Sequence, residues 1–319
     1  MPNSSRAFGF ALLLVLAGHA SRAWAQQQPQ GFAVERFYPS APGGGWFVMD
    51  DLDTHGGLGG ALELTLGYAR NPLRVTDGVN RLAVVSNQAF ADIGAAITYH
   101  RFRFYLDLDA PFFTSGQSGM VGGYAFTGPS LDWGSNPDPM SDARIGTDVR
   151  IAGEPGSRFR FGAGAQLFVP FGNRADYHTD HTFRGMLRAL FAGDASCFAY
   201  AGQLGVHIRP LDDSPTPGSP QGSELLFGLA AGAKVRAANW AVVVGPEIYG
   251  ATAFRSFFRS NGTAPEGLLT ARFEGALDGE LQSRIKLGVG AGLRQPGASQ
   301  WRLLVAVEIF GQPHPQEIR

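Results

Sequence analysis

The chain has a single cysteine, almost no lysine, and no interior run of about 20 apolar residues. With Cys197 alone no internal disulfide can form, so the fold is held by other means and Cys197 reads as a small space-filling residue. Without a long apolar run, no helix of the mature chain crosses a membrane. Arginine carries nearly all the positive charge, and 26 basic against 27 acidic residues leave a net charge of −1. Nothing electrostatic therefore points to nucleic acid or to an acidic partner.

What is present begins with an export signal. Arg6 supplies a basic start, Phe8–Gly18 an apolar stretch too short for an anchor, and "AWA" (23–25) a small-x-small cleavage pattern before Gln26. His19 stands where a lipidated cysteine would have to be, so lipidation is not expected. Residues 1–25 are read as a signal peptide and 26–57 as a periplasmic N-terminal segment.

Beyond Leu58 the pattern has period 2. In "RFRFYLDLDAPFF" (101–113), Arg101, Arg103, Asp107 and Asp109 share one parity, while Phe102, Phe104, Leu106 and Leu108 share the other. Successive side chains of a strand point to opposite faces, so this segment has one charged and one apolar face. Twelve such segments recur: 58–70, 88–100, 101–113, 141–153, 157–170, 182–193, 195–209, 222–236, 238–250, 266–278, 280–293 and 300–310. The gaps between them alternate short and long, with the long ones at 71–87, 114–140, 171–181, 210–221, 251–265 and 294–299. Turns that are tight at one end and extended at the other match an outer-membrane barrel, whereas a soluble sandwich has no reason to sort its loops.

The apolar parity carries no charge in any segment. Leu62, Leu64, Ile93, Ile97, Ile145, Val242, Leu287 and Val305 belong to it, while Glu63, Asp92, Arg144, Asp148, Glu247, Arg272 and Glu308 occupy the other parity. Aromatic residues of the apolar parity gather at strand ends. Tyr99, Phe102, Phe159, Phe198 and Trp240 fall at the short-turn end, and Tyr68 and Trp301 at the long-loop end. Two aromatic belts around an aliphatic band fit two lipid–water interfaces. Hydrocarbon cannot satisfy an open sheet edge, so the sheet must close. The fold expected is all-β, a transmembrane antiparallel β-barrel of about 12 strands over 58–310, followed by a periplasmic tail, 311–319. Its last strand, "WRLLVAVEIF" (301–310), suits the terminal signal read by the barrel-assembly machinery, although Phe310 has the inward parity.

Several stretches carry a family likeness. "RFYPSAPGGGWFVMDDLD" (36–53), "FYLDLDAPFFTSG" (104–116), "GAGAQLFVPFGNRADY" (162–177), "GPEIYGAT" (245–252) and "LGVGAGL" (287–293) occur in an order that resembles the N-terminal barrel domain of an OmpA-type family of Gram-negative outer-membrane proteins. Phe171 stands where that family usually has Thr. The resemblance implies location and fold and supplies no catalytic residue. Many relatives continue into a peptidoglycan-binding domain, which this chain is expected to lack, so wall tethering is not carried over.

Three groups could carry function. "YHTDH" (177–181) sets His178, Asp180 and His181 in an external loop, where a solvated loop is the plain reading and a barrel-mouth hydrolase the sharper one. "MDDLDTHGG" (49–57) has D-x-D spacing without the Glu that completes a calcium loop, so a polar cap beneath the barrel is expected. The lumen is the third. Arg101, Arg103, Arg150, Arg158, Arg160, Arg284 and Lys286 trace to the periplasmic end, opposed there by Asp278 and Glu308. Asp107, Asp109, Asp142 and Glu247 lie further out. If wet, this basic vestibule favours small anions; if dry, it is a closed network of Arg–carboxylate pairs. The function expected is porin-like passage of small solutes or a structural membrane role. A hydrolase, or a receptor or adhesin using the 114–140 loop, is the alternative. Outer-membrane lipid and lipopolysaccharide are the expected partners, and no cofactor or metal is implied.

Overall fold

The computed structural model describes residues 31–54, 57–132, 141–211, 221–237, 240–278, 281–294 and 297–311. The signal peptide expected over 1–25 and the tail beyond Gly311 lie outside the described residues. Six strands make the first half of a single sheet: β1 (Leu58–Thr76), β2 (Arg81–Tyr99), β3 (Phe102–Ser115), β4 (Ala143–Ala152), β5 (Arg160–Val169) and β6 (Arg184–Ala195). The second half is β7 (Phe198–Ile208), β8 (Glu224–Ala237), β9 (Trp240–Ala253), β10 (Thr263–Asp278), β11 (Leu281–Gly292) and β12 (Trp301–Gly311). Each strand pairs antiparallel with its chain neighbours, and β1 also pairs with β12 in the register Leu62↔Ile309. The sheet is thus a closed 12-stranded barrel without an edge, as the expected fold requires.

The two parities separate as side-chain alternation demands. Along β3, Phe104 and Leu106 are 53% and 43% exposed on the outside, whereas Arg103, Tyr105 and Asp107 are buried inside. The outer surface is a continuous apolar band that includes Leu64, Ile93, Ile145, Leu187, Val244, Leu287 and Val305. Tyr99, Phe102, Phe159, Phe198, Trp240 and Trp301 all project outward, and Tyr68 is half-buried with its ring 5.1 Å from that of Trp301.

Three features depart from the sequence expectation. The gap placed at 71–87 is mostly strand, because β1 and β2 each run for 19 residues and turn only at 77–80. Pro72 sits where the β1–β2 register shifts between Arg70 and Leu73; a bulge tolerates the missing amide donor. The turn itself is closed by Asp77, whose carboxylate accepts from the amides of Val79 and Asn80, with Gly78 at φ 96°.

The second departure is larger. The N-terminal stretch expected in the periplasm lies inside the barrel over residues 31–54: Phe32, Phe37, Trp46, Phe47 and Met49 are buried against the strands. It enters at the long-loop end, where Phe32 and Val34 pack with Leu73, Val85 and Tyr177, and leaves at the short-turn end, where Asp53 accepts from the amide of Gly156. The segment lacks any periodic pattern, which is why its burial could not be read from spacing.

In the third, the loop after β3 folds over the mouth. A small hairpin, Gly119–Val121 with Tyr124–Phe126, packs Val121 and Phe126 into the same apolar cluster as Phe32 and Val34. Residues 133–140 of that loop lie outside the described residues.

Candidate functional site

The filled lumen is built from a compact loop of the N-terminal segment set against the inward residues of the strands. Within 40–51 the chain folds on itself: the Ser40 amide donates to the Phe47 carbonyl (2.8 Å) and the Asp51 amide to the Gly44 carbonyl (2.7 Å). "GGG" (43–45) is required here, since Gly43 and Gly45 have φ of 82° and 95°, where L side chains are strained. A Cβ on Gly45 would also lie 2.3 Å from Asp51 Oδ2 and 2.5 Å from Arg272 Nη1.

That fold presents polar groups outward to meet the charged parity of the strands. Glu247 accepts the amides of Phe47 (2.9 Å) and Val48 (3.0 Å) and the hydroxyl of Thr270 (2.7 Å). Asp50 pairs with Arg103, and Asp51 lies between Arg272 (3.6 Å) and Arg284 (4.0 Å). Lys286 donates to the Trp46 carbonyl (3.2 Å) and bridges Glu63 and Glu308, each at 2.7 Å. Nearer the long-loop end Arg302 holds both Glu35 (2.7 Å) and Glu266 (3.1 Å), while Arg36 pairs with Glu224 (3.1 Å). The aromatic rings of the segment also sit beside cations: Arg302 is 5.1 Å from the Phe37 ring and Arg272 5.0 Å from that of Trp46.

Four cations of the expected basic vestibule are accordingly neutralised. Arg103, Arg160, Arg284 and Lys286 face inward, and each is in an ion pair. Arg150 is inward too, and its Nε and Nη1 have no hydrogen-bond partner among the described residues. Arg101 and Arg158 are not lumenal: both precede their strands, in the short turns, and are exposed, with Arg101 3.9 Å from Glu154. The parity count was extended one step too far into those turns. Of the outer acids, Asp107 pairs with Arg144 (2.9 Å) and Asp142 with Arg184 (2.7 Å), and the backbone carbonyl of half-buried Asp109 accepts from the Ser141 amide (3.1 Å). Sequence reasoning missed Glu35, Asp50 and Asp51 as lumenal acids because they lie outside the strands. Asp194, which pairs with Arg160 (3.0 Å) and Lys234, was missed at a strand end.

The polar cap expected beneath the barrel is therefore inside it, apart from His55, which lies outside the described residues. The "YHTDH" stretch is equally altered. His178 and Asp180 are buried rather than solvated, and their partners differ. His178 lies between the side chains of Thr114 (2.9 Å) and Gln88 (3.2 Å). Asp180 holds Arg209 through both oxygens (2.7 Å each) and caps the Ala33 amide (2.9 Å). His181 is exposed, at φ 58°. The three do not converge on a point where a reacting atom or an ion could sit, so the hydrolase reading loses its residues.

Burial pulls the His178 pKa from 6.5 down to about 3. A histidine kept neutral by the fold binds its proton more readily when unfolded. Its contribution to stability is thus complete above about pH 6.5 and falls as pH drops towards 3, by at most about 1.4 kcal/mol per unit. Comparing urea unfolding of the wild type and His178→Gln from pH 7 to 4 should show the shallower pH dependence in the variant.

Cavities lie around the segment among the described residues, three of them as follows. One of about 470 Å³ opens at the long-loop end, one of about 50 Å³ lies beside Asp92, Asp107 and Arg144, and one of about 30 Å³ lies beside Pro42 and Arg103. None of these three runs the length of the barrel.

No family model matches the sequence, so the OmpA-type likeness is not supported at family level, and no curated protein matches it either. Among solved structures the barrel is similar to an outer membrane channel from Pseudomonas putida F1. The TM-score is 0.55 at 12% identity, over 82% of this chain and 98% of that one. The NanC porin gives a TM-score of 0.45 at 6% identity, covering 79% of this chain and 100% of that one. The CymD monoaromatic hydrocarbon channel gives 0.40 at 12%, covering 83% and 91%. The first likeness bears on the fold, which is that of bacterial outer-membrane barrels.

Proposed function

We propose that the protein is a channel of the Gram-negative outer membrane for small solutes, closed at rest by its own N-terminal segment. The observation that carries this reading is how the segment is held. Its charged groups and several of its amides and carbonyls meet ion pairs and hydrogen bonds from the wall, which water can replace when the segment moves. The barrel fold shared with an outer membrane channel supports the reading. The outward aromatic rings serve as lipid and lipopolysaccharide contacts, and the barrel-assembly machinery is the partner during insertion. Opening is rare, because the rings of Phe37, Trp46 and Phe47 leave their cations as the segment withdraws.

The test is single-channel recording in planar bilayers. The wild type should open briefly, and Glu35→Gln/Arg36→Gln, which loosens the attachments to Arg302 and Glu224, should open more often at the same unit conductance. Silence from both proteins favours a structural barrel and overturns the channel.

A further inference from the structure

The 470 Å³ cavity at the long-loop end has a lining that the closed lumen does not explain. Its floor is the start of the N-terminal segment, Phe32 and Val34, and its walls come from Leu73 and Val75 of β1 and from Val121 and Phe126 of the folded loop. Such a volume with mostly aliphatic and aromatic walls is the size and character of a small-molecule site.

The charges in the lining can be accounted for one by one. Arg36 is saturated: Nε donates to Glu224, Nη1 to the carbonyls of Ala33, Val34 and Glu35, and Nη2 to Gln221. Glu224 is neutralised by Arg36 and Arg209 and accepts from His207. Asp77 is turned into its own tight turn and also accepts from the Gly122 amide. Arg74 is different. Its Nε and Nη2 are buried and have no hydrogen-bond partner among the described residues, and the neighbouring charge it feels is that of Arg81, which is also positive. Arg74 lines the apolar chamber and makes no ion pair among the described residues, so its charge is the one in the lining left uncompensated for an entering anion.

We propose that this cavity binds a small organic monoanion, a free carboxylate with a compact apolar body: the carboxylate is received by Arg74 and the body by Leu73, Val34, Val121 and Phe126. The site does not depend on whether the lumen conducts, since it is read by binding alone. Because Phe32 and Val34 form its floor, the ligand touches the segment that closes the barrel.

The test uses the full chain in phosphatidylcholine nanodiscs, with cyclohexanecarboxylate as probe, its carboxamide as the neutral shape-match, and empty nanodiscs as control. Calorimetry or ligand-observed NMR should show saturable binding of the carboxylate and about tenfold weaker binding of the amide. Arg74→Gln should weaken the carboxylate to the level of the amide. Val121→Trp should fill the chamber and abolish binding of both, while heat-modifiable migration on gels reports that each variant barrel is folded. Equal binding of the two probes, unchanged affinity in Arg74→Gln, retained binding in Val121→Trp, or no saturable binding to the wild type would each overturn the proposal.

Discussion

A chain lacking residues 31–54 is expected to conduct steadily, with a unit conductance on the order of tenfold above the wild-type openings. The segment runs through the lumen from the Phe32 cluster at one end to the Asp53–Gly156 contact at the other. The selectivity of the opened barrel follows from what is removed. The segment carries Glu35, Asp50, Asp51 and Asp53 against Arg36 alone, a net charge of −3. Its loss frees Arg103 of its carboxylate and strips Arg272, Arg284 and Arg302 of one each. Rings of one sign select the opposite ion, so the opened pore should prefer anions. Reversal potentials in a KCl gradient measure this directly. A deletion variant that inserts but stays silent, or one that prefers cations, contradicts the assignment of the segment as the closing element.

The second large effect concerns stability. Arg302→Met should cost about 3–5 kcal/mol in urea unfolding from lipid vesicles. Arg302 is buried and holds Glu35 and Glu266 together, and Glu266 also receives Tyr249 and the Ser299 amide. Methionine fills much of the space but leaves two carboxylates without their cation. Breaking a buried pair from one side is costly because the remaining charge stays desolvated, whatever the pair contributed while intact. Arg101→Met is the control: Arg101 is exposed in a turn and 3.9 Å from an exposed Glu154, so its loss should be hardly measurable.

The barrel was legible because period 2 is enforced by geometry at every residue of a strand. Phe102 to Asp109 shows both faces at once, and the same alternation located all twelve barrel strands with ends mostly within a few residues. The tight turns of the short-turn end were legible, whereas the tight turn at 77–80 was hidden inside the gap read at 71–87. The rule failed at Arg101 and Arg158 because parity has no meaning once the chain leaves the ladder. It gave nothing for residues 31–54, whose position is set by a tertiary match. Asp50 finds Arg103, and the amides of Phe47 and Val48 find Glu247 across about 200 residues of sequence. One signal was available. The strands bring an excess of inward arginine to the short-turn end, and buried cations require carboxylates from somewhere. "MDDLD" (49–53) immediately before β1 was the nearest supply. His178 and Asp180 were legible as residue types but not as buried structural groups, since their partners come from distant elements.

The central claim is that residues 31–54 occupy the barrel interior at rest, and thiol accessibility tests it most directly. In a Cys197→Ala background, Phe47→Cys should react with a water-soluble maleimide in the folded, lipid-inserted protein at least about a hundredfold more slowly than in urea. Cys197 itself, exposed in a short turn of the otherwise unaltered protein, should label at once. Rapid labelling of Phe47→Cys in the folded barrel would mean that the segment lies outside the lumen.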